Sequence, residues 1–153
     1  MSNFIVINKK IKNFNKKINV DGDKSLSIRW VLFSSLSDGT SVGTNLLLSE
    51  DVMAAIKAVR QLGVKVTLKK NYCKIYGKGI NGFKYKKNLT INAQNSGTLG
   101  RLILGLLIDT PYPIKIIGDK SLSKRDFKRI SSPLTKFGAK FELKNNKNLP
   151  LKL

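Results

Sequence analysis

At 153 residues the chain is long enough for one domain with its own core, and its 41% hydrophobic content is ordinary for a globular protein. It carries 29 Lys+Arg against 9 Asp+Glu, a formal charge of +20, with no histidine and a single cysteine, Cys73; imidazole catalysis, an internal disulfide and a cysteine metal cluster are therefore excluded, and neither a metal nor a cofactor is expected. No run approaches the ~18 apolar residues that a membrane helix needs, and Met1 to Ile7 lacks a basic region followed by an apolar one, so a cytoplasmic location without a membrane span is expected.

In chain order, Ile28, Val31, Leu32, Ser35 and Leu36 follow the spacing of one helix face, and Val52, Ala55, Ile56, Val59 and Leu62 do so again before a stop at Gly63. Val64 to Leu68 alternates as a half-buried strand, Asn71 supplies a turn, and Cys73 to Gly77 returns as the hairpin partner. Gly77 to Lys87 reads as a loop. A strand near Leu89 to Ile91 opens a second series, with a helix face of Leu99, Leu102, Ile103, Leu106 and Leu107 that ends at Asp109-Thr110-Pro111. Ile114 to Ile117 is a strand, and Phe127, Ile130, Leu134 and Phe137 mark a last helix that Pro133 should bend or force to begin in another geometry. Ala139 to Leu143 and Leu149 to Leu153 form a second hairpin.

The two series are copies. Shifted by 75 positions, Val20 to Tyr76 lies on Asn95 to Leu151 without a gap: Gly22 falls on Gly97, Ile28 on Ile103, Gly43 on Gly118, Asp51 on Asp126, Gly63 on Gly138, Lys65 on Lys140 and Leu68 on Leu143. Identities are few, but stripes, turn glycines and final strands recur in the same order, as in a duplicated supersecondary unit of strand, helix, strand, helix, strand, strand. Residues that differ between equivalent positions become candidates for function.

In both copies a strand runs through a glycine into a helix start, where free N–H groups and the helix dipole favour an anion. In the first copy Lys24 and Ser25 occupy the opening turn and Arg29 lies four residues after Ser25, so an ammonium, a hydroxyl and a guanidinium can converge on one phosphate. A cap for Ser25 and a solvated face for Arg29 are the structural alternatives. In the second copy Gln94 to Arg101 is a small-residue turn with Asn95 able to donate and Gly97 open to close approach, and Gly118 to Arg125 is again basic at a helix start. Under the shift Lys24 falls on Leu99, Arg29 on Leu104 and Arg125 on Glu50, so the scaffold does not demand these cations. Nucleic acid is the sharp reading of the charge, but only five of the 29 cations are Arg and the lysines are scattered from Lys9-Lys10 to Lys86-Lys87. A lysine-rich composition with a preference for small anions fits better.

Gly22-Asp23-Lys24-Ser25 with Arg29, Leu46 to Asp51, Asn95-Ser96-Gly97-Thr98 with Arg101, and Gly118-Asp119 through Lys124-Arg125 resemble, in order and separation, the N-terminal part of 5-enolpyruvylshikimate-3-phosphate synthase, from about Asn19 to Leu153. The resemblance implies an α/β (α+β) fold of repeated βαβαββ units in an inside-out barrel, with two of the three units of one domain present. Residues 1–18 would be a strand segment of the other domain, 19–87 the first unit and 88–153 the second. It implies transfer of the enolpyruvyl group of phosphoenolpyruvate to the 5-hydroxyl of shikimate 3-phosphate, with release of phosphate, on the route to aromatic amino acids. Lys24 would be catalytic and touch both substrates, Ser25 and Arg29 would hold shikimate 3-phosphate, and Asn95, Gly97 and Arg125 would surround phosphoenolpyruvate. Arg101 would support packing or orientation.

Length is the departure from that family. A third unit and the second domain, with the groups that move the proton, are not among these residues, so a truncated chain holding half a site is expected, inactive alone, with the missing remainder as a partner. Two alternatives stand beside this reading. One is a basic anion- or nucleic-acid-binding module on the same fold; the other is the sister family acting on UDP-N-acetylglucosamine, which differs at Lys24-Ser25 and carries a loop cysteine where Cys73 reads as a buried strand residue.

Overall fold

The computed structural model describes residues 20–70 and 72–153. Helix α1, Lys24–Ser35, starts where the Asp23 side chain accepts from the Leu26 amide at 2.6 Å. It buries Ile28, Val31 and Leu32, the stripe that its spacing predicts, and stops one residue short of Leu36. Strand β1, Thr40–Thr44, leads to helix α2, Glu50–Gln61, which buries Val52, Ala55, Ile56 and Val59. Gly63 ends α2 in the left-handed region at φ +85°, where a side chain would be strained. Strands β2, Lys65–Lys69, and β3, Tyr72–Tyr76, then form the predicted hairpin; its turn residue Asn71 lies outside the described residues.

Strand β4, Leu89–Asn92, and helix α3, Gly97–Leu106, begin the second series, followed by β5, Ile114–Ile117, and a single 3-10 turn at Leu122–Lys124. Helix α4, Lys128–Thr135, and strands β6, Glu142–Lys144, and β7, Asn148–Lys152, complete it. The last helix is shorter than its stripe predicts. Phe127 is buried but precedes the first turn, and Phe137 is 76% exposed beyond the end, so neither belongs to the helix face. Pro133 lacks an N–H to extend the ladder, and Gly138 at φ +91° reverses the chain soon after. Strand β6 also begins at Glu142 rather than Ala139.

Both sheets repeat one topology. The first has the order β1-β3-β2, with β3 antiparallel to both neighbours. The second has the order β4-β5-β7-β6, with β4 parallel to β5 and the rest antiparallel. Under the 75-residue shift β5, β6 and β7 match β1, β2 and β3, while the counterpart of β4 falls near 14–17, outside the described residues. Alternation along β3 sends Cys73 and Ile75 inward. The helices join the units: α1 packs on α2 and also on α3, and α2 rests on β4, so one continuous core runs from Ile28 and Ile56 through Leu99 and Ile103 to Ile116 and Leu151. This is a mixed α/β fold with the helices at its centre. Among the described residues no helix is long and apolar enough to cross a membrane.

Candidate functional site

Three helix starts meet at one cleft. Lys24 is the first residue of α1, Glu50 and Asp51 open α2, and Gly97 and Thr98 open α3; with Asn95, Arg101 and Arg125 they line a cavity of about 490 Å³. Each helix start contributes a partial positive charge and N–H groups without intrahelical partners. The helix starts at Lys24 and Gly97, one from each copy, both border this cavity.

The turn before α3 is built locally. Asn92 Oδ1 accepts from the Gln94 amide at 2.8 Å, Gln94 adopts φ +51°, and buried Ser96 caps the helix by accepting from the Leu99 amide at 3.2 Å. Arg125 reaches the cleft from elsewhere. It follows the 3-10 turn and precedes α4 by three residues, so it is not the helix-start residue that the sequence suggests. The Asn148 side chain, from β7, donates to the Lys124 and Arg125 carbonyls at 3.1 and 3.2 Å and pins this segment to the sheet. Arg125 Nη2 then donates to Asn95 Oδ1 at 3.1 Å. Asn95 therefore accepts from a guanidinium rather than only donating to a ligand.

Gly97 makes room for two cations. A Cβ at this position would lie 2.8 Å from Arg125 Nη1 and 3.1 Å from Arg101 Nη1, so the bare backbone lets two guanidiniums gather over the start of α3. Arg101 also stacks over Phe127, 5.6 Å from the ring centroid, with its Nε buried and unpaired. Among the described residues the ion pairs are Lys24–Asp51 and Lys152–Glu142, and neither includes Arg101 or Arg125. Two neighbouring guanidiniums without a carboxylate repel each other, and an anion between them removes that cost.

The structure brings Lys24, Asn95, Gly97 and Arg125 together from both copies. Ser25 and Arg29 form a separate pair on the exposed face of α1, where Arg29 Nη1 donates to the Ser25 carbonyl at 3.2 Å and to its hydroxyl. Lys24 turns away from them toward Asp51, with Nζ 3.0 Å from Oδ2. Asp51, Glu50 and Thr98 are cleft residues to which sequence reasoning gave no role, although all three lie in the segments that carry the family resemblance. From Glu50 and Asn95 the surface continues into a wider groove of about 800 Å³ that includes Met53, Lys57, Arg60 and Asp119. Elsewhere the lysines serve the sheet surface: Lys65 and Lys74 each lie 5.1 Å from the Tyr76 ring centroid and Lys69 lies 5.7 Å from that of Tyr72. Cys73 is buried in β3, and burial raises its thiol pKa above the ordinary value while the Arg60 charge opposes the rise.

Central helices, two sheets of matching topology and a cleft ringed by helix starts and cations define a duplicated α/β protein with a cation-rich cleft between its copies. The chain belongs to the EPSP synthase (3-phosphoshikimate 1-carboxyvinyltransferase) family, whose model matches residues 8–153. It is 40% identical over 134 residues to the 3-phosphoshikimate 1-carboxyvinyltransferase of Leuconostoc mesenteroides, covering 88% of this chain and 31% of that protein. The enzyme of the same name from Ruthia magnifica is 41% identical over 154 residues, covering 100% of this chain and 34% of that protein. The solved EPSP synthase from Acinetobacter baumannii superposes with a TM-score of 0.82 at 34% identity, over 90% of this chain and 32% of that one. The chain thus spans about a third of the length of these relatives.

Proposed function

We propose that the protein to which this chain contributes transfers the enolpyruvyl group of phosphoenolpyruvate to the 5-hydroxyl of shikimate 3-phosphate, releasing phosphate, in the cytoplasm. The observation that carries the reading is the cleft itself: Lys24, Asn95, Gly97 and Arg125 come from two copies of one unit and meet around an anion-sized space. In this reading phosphoenolpyruvate lies against the start of α3. Arg125 supports its carboxylate or phosphate, Asn95 holds that guanidinium in place, and Gly97 keeps the enolpyruvyl side uncrowded. Lys24, on the rim between the units, reaches both substrates, and the Ser25–Arg29 pair takes the phosphate of shikimate 3-phosphate on the neighbouring face of α1. Residues 19–87 and 88–153 then act as two units of one domain; the segment 1–18, expected to belong to a second domain, lies outside the described residues.

A chimera joining residues 1–153 to the remainder of the Acinetobacter baumannii enzyme tests the reading by phosphate release. Lys24→Ala and Arg125→Ala should each lose most activity, since a cation removed from a shielded phosphate or carboxylate contact costs about 2–5 kcal/mol. Arg29→Ala should raise KM for shikimate 3-phosphate more than for phosphoenolpyruvate. Lys86→Ala, on the loop between the units, should change little. Equal losses at Lys86 and Lys24 would mean that bulk charge, not a built site, attracts the anions.

A further inference from the structure

The duplicated units carry a built-in comparison at the openings of α2 and α4. Asp51 and Asp126 occupy equivalent positions, yet their carboxylates do different work. Asp126 accepts from the Lys128 amide at 2.6 Å and starts α4, a purely local role. Asp51 reaches across to Lys24 Nζ at 3.0 Å, and the counterpart of Lys24 in the second unit is Leu99, which offers no charge. Helix α2 gains no cap in exchange: Ser49, at its N-cap, makes no side-chain cap bond, and its hydroxyl is buried and unpaired. The opening of α2 has given up a local bond of the kind its twin keeps, and the carboxylate is spent on the cleft.

We propose that Asp51 is a positioning residue that holds the Lys24 ammonium in the cleft ready for an anion; the inference rests on the reading of this cleft as the phosphoenolpyruvate site. An isolated carboxylate on the wall of an anion site should only repel the ligand. The Lys24 side chain, however, is 53% exposed, against 19% for Asp51, so without a tether its flexible stem would spend most of its time in solvent. An ammonium has three donors, and one bond to Asp51 leaves two for the ligand. Tethering removes the rotamer entropy before binding, and the gain competes against a repulsion softened by the salt-bridged geometry.

The sign of one substitution decides between the two effects. Phosphoenolpyruvate is titrated calorimetrically into the unaltered chain and its variants. Asp51→Asn should weaken binding roughly three- to tenfold, the size expected for immobilising one rotamer-rich side chain, although it removes a negative charge from the site. In a Lys24→Met background the same change should tighten binding, because only repulsion remains to be relieved. Asp126→Asn should leave the affinity unchanged while lowering the unfolding temperature. If Asp51→Asn does not fold, Asp51→Glu gives the same readout: full charge, displaced ammonium, weaker binding. Tighter binding by Asp51→Asn with Lys24 present overturns the inference alone. No binding by the unaltered chain overturns the site reading and the inference with it.

Discussion

Gly97 matters because of two side chains that are not its own. The nearest atoms to its absent Cβ are the tips of Arg125 and Arg101, both flexible, so an added methyl displaces guanidiniums without touching backbone. Gly97→Ala should therefore leave thermal stability nearly unchanged and weaken phosphoenolpyruvate binding about tenfold, the loss of one charge-assisted contact of ~1.4 kcal/mol. A calorimetric titration beside a melting curve separates the two effects. Cys73 shows the opposite case, a residue whose chemistry is set by burial. Its thiol pKa is raised in the folded chain from an ordinary value of 9.0, chiefly by desolvation, with Arg60 opposing. The folded state therefore keeps a proton that the unfolded state releases, and stability fully present below 9.0 is lost as pH rises from there through the raised folded value. Relative to Cys73→Ala, the unaltered chain should lose stability between neutral pH and pH above 9, measured by denaturant unfolding at each pH.

At the scale of elements, most of the repeat identities have a physical cause. Ile28 and Ile103 are both fully buried, and Leu68 and Leu143 both pack against the core. Gly43 and Gly118 both let side chains pass close: a Cβ would lie 2.7 Å from the Trp30 ring in one copy and 2.7 Å from Leu122 in the other. Gly63 and Gly138 both end helices at positive φ. They should differ in cost, however, since a Cβ on Gly63 also meets the Lys84 carbonyl at 2.6 Å while that of Gly138 meets nothing. Gly138→Ala should cost about 1 kcal/mol of left-handed strain, and Gly63→Ala clearly more, read from denaturation midpoints. Helices and hairpins were legible in the sequence because burial on one face imposes a period. The short α4 was not, since Phe127 and Phe137 continue the period while Pro133 and Gly138 break the backbone beneath it. Nor was Arg125's approach, because its position depends on Asn148, twenty-three residues further on, holding the Arg125 carbonyl. Asp51 shows in the sequence only as a repeat identity and a motif residue without a role, and only the packing of α1 against α2 reveals its partner.

For the whole molecule, the unusual surface is α1. Opposite its core stripe it presents Leu26 at 66% and Phe33 at 62% exposure, with Trp30 half-buried between them. Spaced at i, i+4 and i+7, these three form one apolar ridge. The chain should accordingly bind a hydrophobic dye and self-associate with rising concentration, and Leu26→Gln with Phe33→Gln should reduce both, as followed by fluorescence and sedimentation. A monomeric, dye-silent parent chain would refute the prediction.

Helix α1 touches α2, α3, β1 and β3, so it belongs to both copies at once while its first residue is Lys24. That makes it a mechanical shaft between ligand and fold. Val31 and Leu32, in its middle, are buried, so deuterium uptake at their amides should follow global opening. An anion seated at Lys24 would then slow exchange at Ile75 in one sheet and Ile116 in the other to the same degree, and two sheets that share no strand would register a single binding event together.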